Sequence, residues 1–276
     1  MITDDLILGG LSCIIWTLTL QTTIKYVVIT LQADNKGEGG IFSLFSLVKR
    51  KAKWLFIPAM IGGAALLADG VMTPAVTVSA AIEGLDILYN DLPTVPIVLA
   101  ILTILFVLQQ FGTSLVGKAF GPVMWIWFTM IAALGISYIV ELPEILKAIN
   151  PYYAYQILTT NPDAFLIIGA VFLCTTGAEA LYSDLGHCGR ANIRVSWIYV
   201  KASLIINYLG QGVWLWNLQG STLDERNPFY QLMPDWSFIY GIAFATVPSA
   251  IASQALISGS FTLIADGVRL NFWPKV

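Results

Sequence analysis

The sequence predicts an all-α integral membrane protein with seven transmembrane helices. Three observations carry that prediction. The 276-residue chain is 57% hydrophobic and only 11% charged, where soluble domains carry about 25% charged residues. Its mean hydropathy is +0.75. Seven apolar segments are long enough to span a bilayer, at approximately residues 7–31, 54–82, 94–111, 120–140, 164–184, 195–217 and 236–264. Short polar or Gly/Pro-containing connections join them, with no low-complexity stretch and no soluble domain between. Residues 1–276 therefore read as a single transmembrane domain. The net charge of −3 decides little, because the placement of charge matters more here than its sum.

The connection after the first segment carries Lys36, Lys49, Arg50, Lys51 and Lys53, which places it in the cytoplasm by the positive-inside rule. Alternation then puts Lys118, Arg190, Arg194, Arg269 and Lys275 inside as well, against Lys147 and Arg226 outside. Lys25 and Lys201 lie near inner helix ends and can snorkel. In this orientation the first helix runs from outside to inside, with nothing upstream to carry its start across. The chain is thus expected to be a fragment, lacking one helix before it and further helices after it. The stretch Gln32–Gly40 is glycine-rich but lacks the Lys-Ser/Thr ending of a phosphate-binding loop. It reads as a tight cytoplasmic turn. Trp and Tyr near segment ends, such as Trp54, Tyr89, Tyr138, Trp197 and Trp236, form an interfacial belt that anchors rather than recognises.

The 54–82 segment contains Asp69, sixteen residues beyond Lys53. That is roughly 24 Å along a helix, close to the bilayer midplane. A carboxylate there costs several kcal/mol, about what pairing, protonation or a bound cation must offset. Thr73 lies one turn on and shares its face, and Pro74 frees a carbonyl in the preceding turn. These are hard oxygen ligands. The alternative is an aspartate hydrogen-bonded across helices with no ligand. Gly62, Gly63, Ala64, Ala65 and Ala68 allow a neighbouring helix to come close. Glu83 falls near the outer mouth, as a cation attractor or a solvated helix end.

The 94–111 and 120–140 segments qualify as spans by length and hydropathy. The 164–184 segment holds Glu179, sixteen residues from Asp163 at the other end, so its depth matches that of Asp69. Thr175, Thr176 and Gly177 precede it and suit a broken helix whose unwound carbonyls bind an ion. Tyr182 follows one turn later. Asp184 is either part of the pathway or a helix-end partner of Arg190. His187 has no second histidine to build a metal site. Cys13, Cys174 and Cys188 follow no ligand spacing and read as unpaired thiols. The 195–217 segment is a further span. In the last, Ser249 and Ser253 lie one turn apart beside Pro248, as a pathway wall or as small-residue packing.

Three stretches resemble the Kup/HAK/KT potassium uptake permeases: IKYVVITLQADNKGEGGIFSLFSLV, LLADGVMTPAVTVSAAIEGL and TTGAEALYSDLGHCGR. QQFGTSLVGKAFGPVM and ATVPSAIASQALISGSF are also similar to family segments, so the resemblance covers essentially the whole chain. It implies a twelve-helix permease of the amino acid–polyamine–organocation (APC) type, with a LeuT-like inverted repeat. The seven spans would be helices two to eight, and 164–184 the broken sixth. The family's first-helix Gly-Asp-Ile-Gly-Thr-Ser-Pro motif, expected to complete the site, is absent. Acidic residues matching Asp69 and Glu179 are retained. The tyrosine common before the Gly-Asp pair is replaced, since Leu67 and Ala68 precede Asp69.

The expected function is potassium uptake across the cytoplasmic (inner) membrane, as potassium–proton symport by alternating access. Thr73, Tyr182 and the carbonyls around Thr175–Gly177 are candidate ligands for the potassium ion. Asp69 or Glu179 would carry the proton, since desolvation favours the neutral acid and a nearby cation the charged one. Both carboxylates are also the candidate metal (K+) ligands. Potassium, the proton and the lipid bilayer are the expected partners, with a homodimer as the possible assembly. Neither a cofactor nor a nucleic-acid partner is expected. The rival class is a transporter of an amino acid or other small organic solute on the same architecture. A membrane scaffold leaves two midplane carboxylates unexplained, and no nucleophile–base pair supports an enzyme.

Overall fold

The computed structural model describes residues 2–35, 37–49, 51–86, 93–109, 114–223 and 226–269. Within these residues the apolar segments are largely helical, and 164–184 is interrupted between Leu173 and Ala180. α1 (Asp4–Thr17) continues as a π-helix over Leu18–Ile29 and a final 3-10 turn, Thr30–Gln32. A short α2 (Ile41–Val48) precedes α3 (Phe56–Asp86). Then follow α4 (Thr94–Gln109), α5 (Ser114–Glu141), α6 (Pro151–Thr160) and α7 (Ala164–Leu173). Two single-turn helices, α8 (Ala180–Ser183) and α9 (Leu185–Cys188), lead into α10 (Arg190–Trp216). α11 (Pro228–Gln231) and α12 (Phe238–Arg269) complete the order. Among the described residues there is no strand, only a bridge between Asn35 and Glu38.

Asp4–Gln32, Lys53–Ile82, Phe120–Glu141 and Phe238–Arg269 are long and apolar enough to cross a membrane. Thr94–Val107 and Ala164–Leu173 are apolar but shorter. α10 has the length, at 27 residues, but carries Asn192, Arg194, Lys201, Asn207 and Gln211. The architecture is that of an all-helical integral membrane protein. Large apolar side chains such as Val71, Met72, Phe165 and Val195 are exposed along these helices, as lipid-facing surfaces are.

The chain divides into two compact units. The first comprises Met1–Lys25, Met124–Thr176 and Val195–Gly241. Its core is built on one face of α1, where Ile7, Leu8, Leu11 and Ile15 pack with Ile145, Ala148, Leu209 and Val213. Lipid offers little hydrophobic drive for helices to associate, so close packing must hold them. Gly135 and Gly210 supply it. A Cβ on Gly210 would lie 2.6 Å from the Gly135 Cα, so α5 and α10 touch backbone to backbone. Asn207 adds a buried bond, its Nδ2 donating to the Ile131 carbonyl at 3.1 Å. α6 begins where Asn150 accepts from the Tyr152 N–H and Pro151 fits the first turn. Ser12 and Trp16 donate to the Asn150 and Ile149 carbonyls at 2.9 and 3.0 Å, pinning this connection to α1.

The second unit comprises Tyr26–Val123, Gly177–Arg194 and Ile242–Val276, and α3 is its axis. Gly62 and Gly63 admit the Ile41 side chain and the Phe42 ring of α2, as the run of small residues predicts. Val78 and Ile82 pack with Val98 of α4. Gly70 lies directly against Ser260 and Leu256 of α12. α3 and α12 continue through Pro74 and Pro248 without ending.

The π-helix is not foreshadowed by hydropathy. π turns are rare and collect at functional sites. Thr23 Oγ1 donates to the Leu18 carbonyl, five residues back, at 3.2 Å, the reach that a wider turn requires.

Candidate functional site

Asp69 sits on α3 at mid-helix. Thr73 Oγ1 donates to Asp69 Oδ1 at 2.6 Å, so the shared face read from the spacing is a direct contact. Pro74 is buried and has no N–H to offer the Gly70 carbonyl, which leaves that oxygen without its usual intrahelical donor. Glu179 joins this pair. Its carboxyl group is within hydrogen-bonding reach of that of Asp69. Both carboxylates lie in the second unit.

The helical path is interrupted beside Glu179. α7 ends at Leu173 and α8 begins at Ala180. Gly177 adopts φ +86°, the left-handed region that favours glycine. The Gly177 carbonyl accepts from the Ala180 N–H at 3.1 Å.

Other predicted residues fall elsewhere. Tyr182 is buried, and its hydroxyl donates to the Ala33 carbonyl at 2.5 Å, not to the carboxylate pair. Thr175 is buried with its Oγ1 on the Phe172 carbonyl at 2.8 Å, and Thr176 is exposed. Both belong to the first unit, whereas Asp69, Thr73, Glu179 and Tyr182 belong to the second. Asp184 is exposed. Arg190 pairs with Asp34 at 3.3 Å. Ser249 Oγ donates to the Ala245 carbonyl at 2.9 Å. Ser253 is fully buried with no hydrogen-bond partner for its hydroxyl. The side chains of Glu83 and His187 lie outside the described residues. Cys13, Cys174 and Cys188 are free thiols.

Two features escaped sequence reasoning. Tyr26, at the junction of the π-helix with the second unit, lies close enough to Glu179 to feel its charge. An aromatic in an apolar run gives no signal of that. The other is how firmly the turn at residues 33–40 is seated. Asn35 and Glu38 bridge it, Gly37 and Gly40 adopt φ +90° and +91°, and Asn35 Nδ2 donates to Ser46 Oγ at 2.8 Å. Gly39 lies against the Tyr182 carbonyl and Leu185, and Gly186 against the Glu38 carboxylate.

Chemically, two carboxyl groups and a hydroxyl in an apolar helix array can share a proton or hold a small cation. Among the described residues no group of three His, Cys, Asp or Glu side chains is placed to hold a metal ion.

The family model described as the K+ potassium transporter integral membrane domain matches residues 1–276. A probable potassium transport system protein Kup of Cytophaga hutchinsonii is 60% identical over all of this chain and 43% of its own length. Proteins described in the same words from Flavobacterium psychrophilum and Clostridium perfringens are 61% and 55% identical, again over all of this chain. The chain thus spans less than half the length of these relatives. No solved structure matches it. With the family model spanning every residue and these relatives 55% to 61% identical along all of the chain, this chain belongs to the K+ potassium transporter integral membrane domain family, a family of transporters and not of enzymes.

Proposed function

We propose that the protein to which this chain belongs takes up potassium across the cytoplasmic membrane by symport with protons. The observation that carries the reading is the joining of Asp69, Thr73 and Glu179 into one polar cluster, in a chain whose relatives are named potassium transport proteins. In a low-dielectric site, two adjacent carboxylates are relieved either by a proton between them or by a cation. A partly dehydrated potassium ion and a proton then compete for, and take turns at, the same oxygens. That competition is the chemical basis of coupling. Asp69 and Glu179 are the proposed proton-coupling and ion-binding carboxylates, and Thr73 offers a lone pair while its O–H donates to Asp69. Thr175 and Thr176 remain proposed ligands, and Glu83, Asp184, Ser249 and Ser253 proposed pathway residues.

The seven helical segments serve, on this reading, as helices two to eight of a LeuT-like inverted repeat, in one transmembrane domain. The unwound stretch between α7 and α8 supports this, because such repeats bind their substrates at broken helices. Alternating access then follows from rocking one bundle about a fixed site. The reading is tested by uptake into proteoliposomes holding the full-length protein. Radiolabelled rubidium should accumulate and an amino-acid mixture should not. Amino-acid accumulation without rubidium would move the protein to the organic-solute class.

A further inference from the structure

We propose that Tyr182 and Arg190 are positioning residues for transport: they latch the Glu179 segment to the turn at residues 33–40, and potassium binding releases the latch. The proposal rests on the reading of Glu179 as part of the ion site. Glu179, Tyr182 and Arg190 lie within twelve residues of sequence, punctuated by glycines at φ +86° (Gly177) and +77° (Gly189). Between those glycines run only the single-turn helices α8 and α9. Glu179 and Tyr182 share one turn, the Tyr182 N–H donating to the Glu179 carbonyl at 3.0 Å, so a shift of one carries the other.

The far side of this segment is clasped by the turn. Tyr182 Oη holds the Ala33 carbonyl at 2.5 Å, Arg190 pairs with Asp34 at 3.3 Å, and Gly39 and Gly186 allow backbone-close contact with Leu185 and Glu38. The Arg190 and Asp34 side chains are 39% and 44% exposed, so their pairing is weak, and one neutral hydrogen bond adds a modest amount. The clasp is therefore within reach of the differential affinity of one ion. The carboxyl groups of Asp69 and Glu179 now lie within hydrogen-bonding reach. A potassium ion that takes oxygens from both repositions the Glu179 carboxylate, and Tyr182, held in the same turn, shifts with it.

Cys188 is exposed at the end of the same segment and reports the latch. The full-length protein in liposomes is treated with N-ethylmaleimide in potassium or in matched sodium, and Cys188 modification is followed by peptide mass spectrometry. Potassium should speed modification of the wild type about fivefold, the scale of one modest hydrogen bond. Tyr182→Phe should be fast in both salts. Arg190→Asp should also be fast in both, and adding Asp34→Arg should restore the slow, potassium-sensitive state, which a merely unfolded variant cannot do. Glu179→Gln should be slow in both salts. A Tyr182→Phe protein that keeps the full potassium response overturns the latch, whatever Glu179→Gln does. A Glu179→Gln protein that keeps both the response and rubidium uptake overturns the ion-site reading instead, and the coupling with it.

Discussion

Thr73 Oγ1 donates a hydrogen bond to Asp69 Oδ1 across one turn of α3, at 2.6 Å. The bond fixes the carboxylate rotamer and leaves the threonine lone pairs for a cation. Hydrogen bonds to charged groups contribute about 1.5–3 kcal/mol. Thr73→Val should therefore raise the KM for rubidium uptake by roughly tenfold or more, whereas Thr73→Ser should stay near wild type. Uptake kinetics of the two variants measure the difference. Equal KM values would remove Thr73 from the site.

Gly177 is a backbone requirement. At φ +86° an added Cβ meets no neighbour, so any cost of Gly177→Ala is conformational, on the order of 1–2 kcal/mol. Gly169 also meets no neighbour but has no such φ. Thermal unfolding in detergent should show Gly177→Ala lowered and Gly169→Ala unchanged.

Gly135 tests the packing of the first unit. Its added Cβ would strike the Ile206 carbonyl, a backbone atom with no freedom to turn aside. Overpacking of this kind costs about 1–3 kcal/mol. Gly135→Ala should lower the melting temperature, and Gly121→Ala, which meets nothing within 4 Å, should not.

Cys188 carries the pH dependence. Partial burial of its sulfur pushes the thiol up from its ordinary range, and the Asp184 carboxylate adds to the effect. A raised value means less thiolate at a given pH, hence slower alkylation. The rate at pH 8 should fall below that of an unstructured cysteine peptide and approach it as pH rises. Asp184→Asn should speed the reaction at pH 8 by removing the nearby negative charge. No change on that substitution would detach Asp184 from the thiol.

The sequence made the helices legible because hydropathy is a long-range average: the apolar segments are largely helical, and 94–111 matches α4 to within a few residues, while α5 starts at Ser114, ahead of the expected 120. It also made the Asp69–Thr73 contact legible, since helical spacing is a counting problem. Direction was not legible. Nothing in Tyr182 distinguishes a hydroxyl facing an ion from one facing the Ala33 carbonyl. The π-helix at Leu18–Ile29 was hidden for the same reason. Its threonines and apolar residues fit either helix type, and tertiary contacts such as Trp197 Nε1 on Thr23 Oγ1 at 2.9 Å are not written locally.

The central claim is that Asp69 and Glu179 together exchange a proton for potassium. The most direct measurement is rubidium uptake by the full-length protein in proteoliposomes under an imposed pH gradient, comparing wild type with Asp69→Asn, Glu179→Gln and the double variant. Wild-type uptake should follow the gradient. Each single variant should lose about tenfold or more, or lose its response to the gradient, and the double variant should be no worse than the more severe single. Uptake by both single variants at the wild-type rate, still driven by the pH gradient, would contradict the account.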